Sequence, residues 1–185
     1  KNFLLVRHVQ LQRRIAAQPR PIYLNLGSGA RGLVDSHWIN VDGYANVNVH
    51  YCLDFTRKLP FPDNSLDGIF CQHVLEHFTV QEGLALLREC RRILRPGGCM
   101  RIIVPDGEII MKMYCSDPAE LLARRRDPAH CVMEEVNYYF RQGYEHQCIH
   151  DWELLHRQLS QAGFAEIGRE AFMSEQKKKD NPLDR

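Results

Sequence analysis

Apolar residues in this chain gather into short runs, and each run closes on Gly, Pro or Asp. Ile22-Tyr-Leu-Asn-Leu26 ends at Gly27-Ser28-Gly29, and Trp38-Ile-Asn-Val-Asp42 ends at Gly43. Val47–Leu53 leads to Asp54-Phe55, Leu66–Cys71 leads to Gln72-His73, and Cys99–Val104 leads to Pro105-Asp106. Runs of this length, bounded by turn residues, predict buried strands. Helical spacing predicts a helix over 81–95 through Leu84, Leu87, Cys90 and Leu94, stopped by Pro96-Gly97-Gly98. It predicts another over 151–162 through Trp152, Leu154, Leu155 and Leu159, stopped by Gly163, with a sixth strand over 164–172. An amphipathic helix is expected over 3–18, carrying Phe3, Leu4, Val6, Val9, Leu11 and Ile15 and ending before Pro19 and Pro21. The prolines and the Asp-Asn-Ser cluster of 59–65 make that stretch a loop.

Strands alternating with helices and loops predict an α/β fold, a Rossmann-like, doubly wound and mainly parallel sheet. The length suits one domain over 1–185. Within it we expect an N-terminal helical arm (1–20), a ligand-binding core (22–106), an insertion (107–150) and a C-terminal helix and strand (151–185).

Charge and cysteine content narrow the field. A net charge of +1 provides no global attraction for nucleic acid or an anionic surface. The short basic runs Arg124–Arg126 and Lys177–Lys179 lack interleaved aromatics, so nucleic acid is not the expected partner on sequence grounds. No apolar run is long enough to span a bilayer. Seven scattered cysteines without a C-x-x-C suggest free thiols in a reducing cytoplasm rather than zinc or disulfides.

The chemistry concentrates at the strand ends. A strand that breaks into Gly27-x-Gly29 lets a ligand approach the backbone, though plain structural turns look the same. Asp42, at the end of the second strand, is placed to accept from a ribose diol; a turn-forming Asp before Gly43 is the structural alternative. With Asp54-Phe55, Leu59-Pro-Phe-Pro-Asp-Asn-Ser-Leu-Asp67, Leu75-Glu76-His77 and Leu94-Arg-Pro-Gly-Gly98 in order, the chain resembles the class I S-adenosylmethionine-dependent methyltransferases, in the type 11 branch. The resemblance covers 22–106, with an echo at Ala162-Gly163-Phe164. It implies S-adenosyl-L-methionine as methyl donor, an enzyme, and a small-molecule or glycan-type acceptor. It places Asn25, Gly27, Ser28, Gly29, Asp42, Gly43, Asp54, Phe55, Gln72 and His73 around the donor.

Two departures stand out. The family more often has an acid at the position of Asn25. Only 12 residues separate Gly29 from Asp42, too few for a crossover helix plus a strand, so the first helix should shrink to about one turn, with Arg31, Gly32 and Leu33 near the ligand. The same shortness argues against a nicotinamide dehydrogenase, whose glycine turn opens a full helix.

Methyl transfer needs alignment, water exclusion and, for a neutral hydroxyl, a base. The candidate bases are His73, His77, Asp106 and His146. His73 or Gln72 could instead touch the donor, and His77 could cap the helix it begins. The insertion carries Met111, Tyr114, Tyr138, Tyr139, Phe140, Arg141 and Tyr144, which could stack on an acceptor or form the apolar underside of a lid. His146, His150 and Asp151 form no helical ligand motif, and no metal is expected. An inactive, methyltransferase-like binding protein is the alternative reading. Residues 173–185 are too polar for a last antiparallel strand. The sheet should therefore lack that strand, or the natural chain should extend beyond Arg185, as it should before Lys1.

Overall fold

The computed structural model describes residues 2–30, 32–33, 35–124, 127–170 and 183, with the backbone alone for 2–8. Five parallel strands, β1 (Tyr23–Leu26), β2 (Trp38–Asp42), β3 (Tyr51–Cys52), β4 (Leu66–Gln72) and β5 (Leu94–Ile103), lie in the order β3-β2-β1-β4-β5. The helices are α1 (Asn2–Ala17), α2 (Val80–Ile93), α3 (Gly107–Ser116), α4 (Pro118–Ala123), α5 (Val132–Arg141) and α6 (Trp152–Gln161). The chain leaves β1 toward β2 and β3, then returns to place β4 on β1's other side. That reversal sets a topological switch point between β1 and β4, where such sheets bind ligands.

Alternation along the strands sorts the two faces. Leu24, Leu26, Ile39, Val41, Ile69 and Cys71 point into the main core, with Leu86, Leu87, Cys90 and Ile93 of α2, Leu159 of α6, and Leu11 and Ile15 of α1. Trp38 and Phe70 occupy the opposite face with Leu183, joined by Tyr23, Leu33 and Ile103. Helix α2 starts with a capping box, in which the Thr79 hydroxyl accepts from Glu82 N and the Glu82 carboxylate accepts from Thr79 N.

Four expectations need correction. Between β1 and β2 the described residues contain no helical turn, and Leu33 packs with Trp38 and Phe70 instead; Arg31 lies outside the described residues. The third strand shrinks from 47–53 to two residues, because Val49 N bonds Asn46 O in a turn and Asn48 Nδ2 turns back to Ala30 O. Helix α2 ends at Ile93, before Pro96, because Leu94 already pairs with Leu66 and β5 absorbs Pro96-Gly97-Gly98 as an irregularity. Residues 164–170 form no strand. Phe164 N closes α6 on Leu159 O, while Arg169 and Glu170 are drawn to Asp106 and Arg101. Phe172 and the run Lys177–Lys179 lie outside the described residues, as do Arg125 and Arg126; Arg124 pairs with Glu120.

Candidate functional site

The glycine turn stands at the switch point. Gly27 (φ 73°) and Gly29 (φ 54°) both take left-handed backbone, which glycine adopts without steric cost. Gly27 N and Ser28 N donate to Val41 O at 2.9 and 3.0 Å, so the turn is sewn to the end of β2. A Cβ on Gly27 would stand 2.1 Å from Val74 Cγ2, while one on Gly29 would meet nothing within 4 Å. The first glycine therefore lets β1 and β4 close up, and the second leaves its backbone open to a ligand. The Ser28 hydroxyl is buried with no partner among the described residues.

Asp42 bridges this turn to the next one. Its Oδ2 accepts from Gly29 N at 2.8 Å and its Oδ1 from Tyr44 N at 3.0 Å. Each carboxylate oxygen retains a further lone pair for a hydroxyl. Gly43 sits beside it on the exposed surface. Asp54 is exposed after β3. The Thr56 hydroxyl and N–H, and then Arg57, hold its carboxyl below its ordinary range, so it stays ionised. Phe55 is half-buried against the main core.

Asn25 is buried, and its Nδ2 donates to Asn40 Oδ1 at 3.1 Å across the β1–β2 pair. Sequence reasoning missed Asn40. Its Oδ1 also accepts from Leu33 N at 3.0 Å, and its Nδ2 donates to Leu33 O at 2.8 Å. One buried amide thus clasps Leu33 in the crossover that follows the glycine turn. A polar residue in the middle of an apolar strand was the available signal, since buried amides must be partnered.

At the end of β4, Gln72 is exposed and His73 adopts φ 53°, uncommon for a residue with a side chain. His73 Nδ1–H donates to Glu76 Oε1 at 2.9 Å, and Glu76 is fully buried. Glu76 opens no contact to solvent, so it fixes the ring and leaves Nε2 as the imidazole's proton acceptor. His77 and His146 meet edge to face with centroids 5.0 Å apart. Asp106 stands apart from them: its Oδ1 caps α3 at Ile109 N and its Oδ2 pairs with Arg169 at 2.8 Å. His150 Nε2–H donates to Gln158 Oε1, and Asp151 caps α6 at Leu154 N, so these two do not join His146.

The Leu59–Asp67 motif lies at the opposite end of β4 and is structural. Arg92 donates to Leu59 O and Phe61 O and pairs with Asp63 and Glu89. Asp67 receives Ile22 N, Arg20 and Arg95. In the insertion, Phe140 and Met111 line a cavity of about 500 Å³ between α3, α5 and α6, whereas Tyr144 is 86% exposed. That cavity shares no lining residue with the glycine turn or Asp42. Among the described residues, no helix is long and apolar enough to cross a membrane.

Comparison with known proteins follows the same outline. Residues 36–102 match the family described as Methyltransferase domain. The ubiquinone/menaquinone biosynthesis C-methyltransferase UbiE of Hahella chejuensis is 35% identical over 75 residues, covering 39% of this chain and 29% of that protein. The protein of the same name from Shewanella sp. (strain ANA-3) is 27% identical over 123 residues, covering 65% of this chain and 47% of that protein. The chain thus spans less than half the length of these curated relatives. A solved SAM-dependent methyltransferase from Archaeoglobus fulgidus superposes with a TM-score of 0.48 at 19% identity, over 88% of this chain and 69% of that one. The domain match over residues 36–102 and the similarity to curated methyltransferases support a class I S-adenosylmethionine-dependent methyltransferase, and the 3-2-1-4-5 parallel sheet that opens on Gly27-Ser28-Gly29 is consistent with that fold.

Proposed function

We propose that this domain transfers a methyl group from S-adenosylmethionine to a small-molecule or glycan-type acceptor. The observation that carries this reading is the pairing of Gly29 with Asp42 at the switch point: open backbone beside a carboxylate that has lone pairs to spare. The residues fit the donor. Asp42 would hold the ribose diol, the Gly27–Gly29 backbone would take the amino-acid portion together with the unpartnered Ser28 hydroxyl, and Phe55 and Asp54 would flank the base. The bound donor supplies a methyl group on a sulfonium, which needs alignment more than covalent help.

The protein's own contribution is to position the acceptor and remove its proton. His73, oriented by Glu76, is the best-placed proton acceptor, because its ring is half exposed while its partner carboxylate is buried. The C-methylation named for the curated relatives supports a small acceptor with an acidic position. Asn25, which gives its amide to Asn40 and presents no charge, favours the second reading, binding without turnover.

Calorimetric titration with S-adenosylhomocysteine, on wild type and on Asp42→Ala, tests the pocket. Binding in the first and its loss in the second is expected; a folded wild type that binds nothing would sink the proposal. Methyl transfer to a panel of phenolic, quinol and sugar acceptors then separates turnover from binding alone.

A further inference from the structure

We infer that Glu76, His77 and His146 form a site for a divalent transition-metal ion, zinc by its donor set. One donor atom from each residue lies within 4.8 Å of the other two. Tetrahedral donors about 2.1 Å from zinc stand about 3.4 Å apart, so modest side-chain rotation completes the set.

The hydrogen bonds already fix the donors in the form a metal requires. His146 Nδ1 lies 2.9 Å from Tyr139 O, and His77 Nδ1 lies 3.2 Å from Glu145 O. A carbonyl oxygen only accepts, so both Nδ1 atoms carry the proton and both Nε2 atoms keep a lone pair. Metal-binding histidines are held in this way, with the other ring nitrogen donating to a main-chain carbonyl. Glu76 provides the second, independent observation. It is fully buried, its Oε1 accepts the hydrogen bond from His73 Nδ1–H, and its Oε2 has no partner among the described residues. A bare carboxylate oxygen cut off from water is costly, and a cation would compensate it.

The frame around the three is rigid. Gln147 N and Cys148 N both donate to Glu76 O, at 2.8 and 3.1 Å, and Gln147 Nε2 donates to His77 O at 2.9 Å. The turn after β4 is thereby laced to the segment that ends the insertion. Two imidazoles and one carboxylate suit zinc or a neighbouring transition ion better than magnesium or calcium, which prefer oxygen. Three protein donors also leave a fourth position for water or an acceptor oxygen.

The inference is independent of the proposed transfer. After chelator treatment, the protein would be titrated with Co²⁺ and then Zn²⁺, without S-adenosylmethionine. One equivalent of Co²⁺ with the intense visible bands of low-coordinate cobalt, displaced by Zn²⁺, is expected. His77→Ala, His146→Ala and Glu76→Gln should each weaken binding at least about tenfold, while His156→Ala leaves it unchanged. His77 is only half-buried, so its variant provides the folded comparison, checked by thermal melting. Absence of stoichiometric binding to folded wild type, or equal affinity in His77→Ala, would overturn the site. Failure of metal binding in a protein that binds S-adenosylhomocysteine overturns this inference alone.

Discussion

Gly27 and Val74 touch so closely that a single methyl group cannot pass between them: a Cβ on Gly27 would lie 2.1 Å from Val74 Cγ2. The ends of β1 and β4 therefore abut at the switch point, and the glycine turn owes its position to that contact. Gly27→Ala adds the strain of φ 73° to this overlap. It should cost about 2–5 kcal/mol in denaturant unfolding. Val74 is β-branched and stiff, so Val74→Ala in the same chain should recover the steric part and leave the backbone part. No recovery in the double variant would mean that backbone strain alone decides the position.

Asn40 ties the crossover after β1 to β2 through one side chain. Its amide meets Asn25 Nδ2, Leu33 N and Leu33 O, at 3.1, 3.0 and 2.8 Å. Asn40→Leu would strand these groups in the interior and should destabilise the fold by about 2–4 kcal/mol, measured by urea unfolding. Weaker S-adenosylhomocysteine binding should accompany it, since the same clasp holds the crossover that carries Gly29.

His73 sits in left-handed backbone with its ring tied to a buried carboxylate. If it accepts the acceptor's proton, His73→Ala should lower kcat by about 10²–10⁴ with little change in S-adenosylhomocysteine affinity. Steady-state kinetics beside calorimetry would decide this. An equal loss in both would make His73 a donor-binding residue instead.

Arg92 gathers Leu59 O, Phe61 O, Asp63 and Glu89, and its side chain is 19% exposed. Arg92→Lys cannot reproduce the planar fork and should cost about 1–2 kcal/mol in thermal or chemical unfolding. Donor affinity should be unaffected, because these contacts lie at the far end of β4.

His150 is buried with Nε2–H on Gln158 Oε1, and burial is the main reason its pKa falls below the ordinary 6.5. The unfolded chain therefore binds a proton more readily than the folded one. Stability should be full above pH 6.5 and decline as pH falls below it, because protonation then favours unfolding. His150→Asn should flatten that decline between neutral and mildly acidic pH. An unchanged slope would assign it to other groups, such as His50, which burial shifts the same way.

Local pattern by itself determined the frame of this protein. The runs at 23–26, 38–42 and 66–72, the helices at 80–93 and 152–161, and the glycine turn were legible because apolar period and turn chemistry act between near neighbours. So was Asp42, since a strand end followed by glycine is a local feature. Partner choice was not legible, because it depends on what the fold brings from elsewhere in the chain. The apolar pattern from Val47 to Leu53 could not foresee that Asn46 and Asn48 would bond the backbone and cut β3 to two residues. Asp106 reads as a free acid until α3 and Arg169 engage both its oxygens. Asn40 reads as an interruption until Leu33 folds back onto it. Glu76, an ordinary acid in a helical turn, becomes the buried partner of His73 and a neighbour of His146 only when the insertion returns to the end of β4. Burial turns each of these polar groups from optional into obligatory bonding partners, and only the tertiary structure decides who is buried with whom.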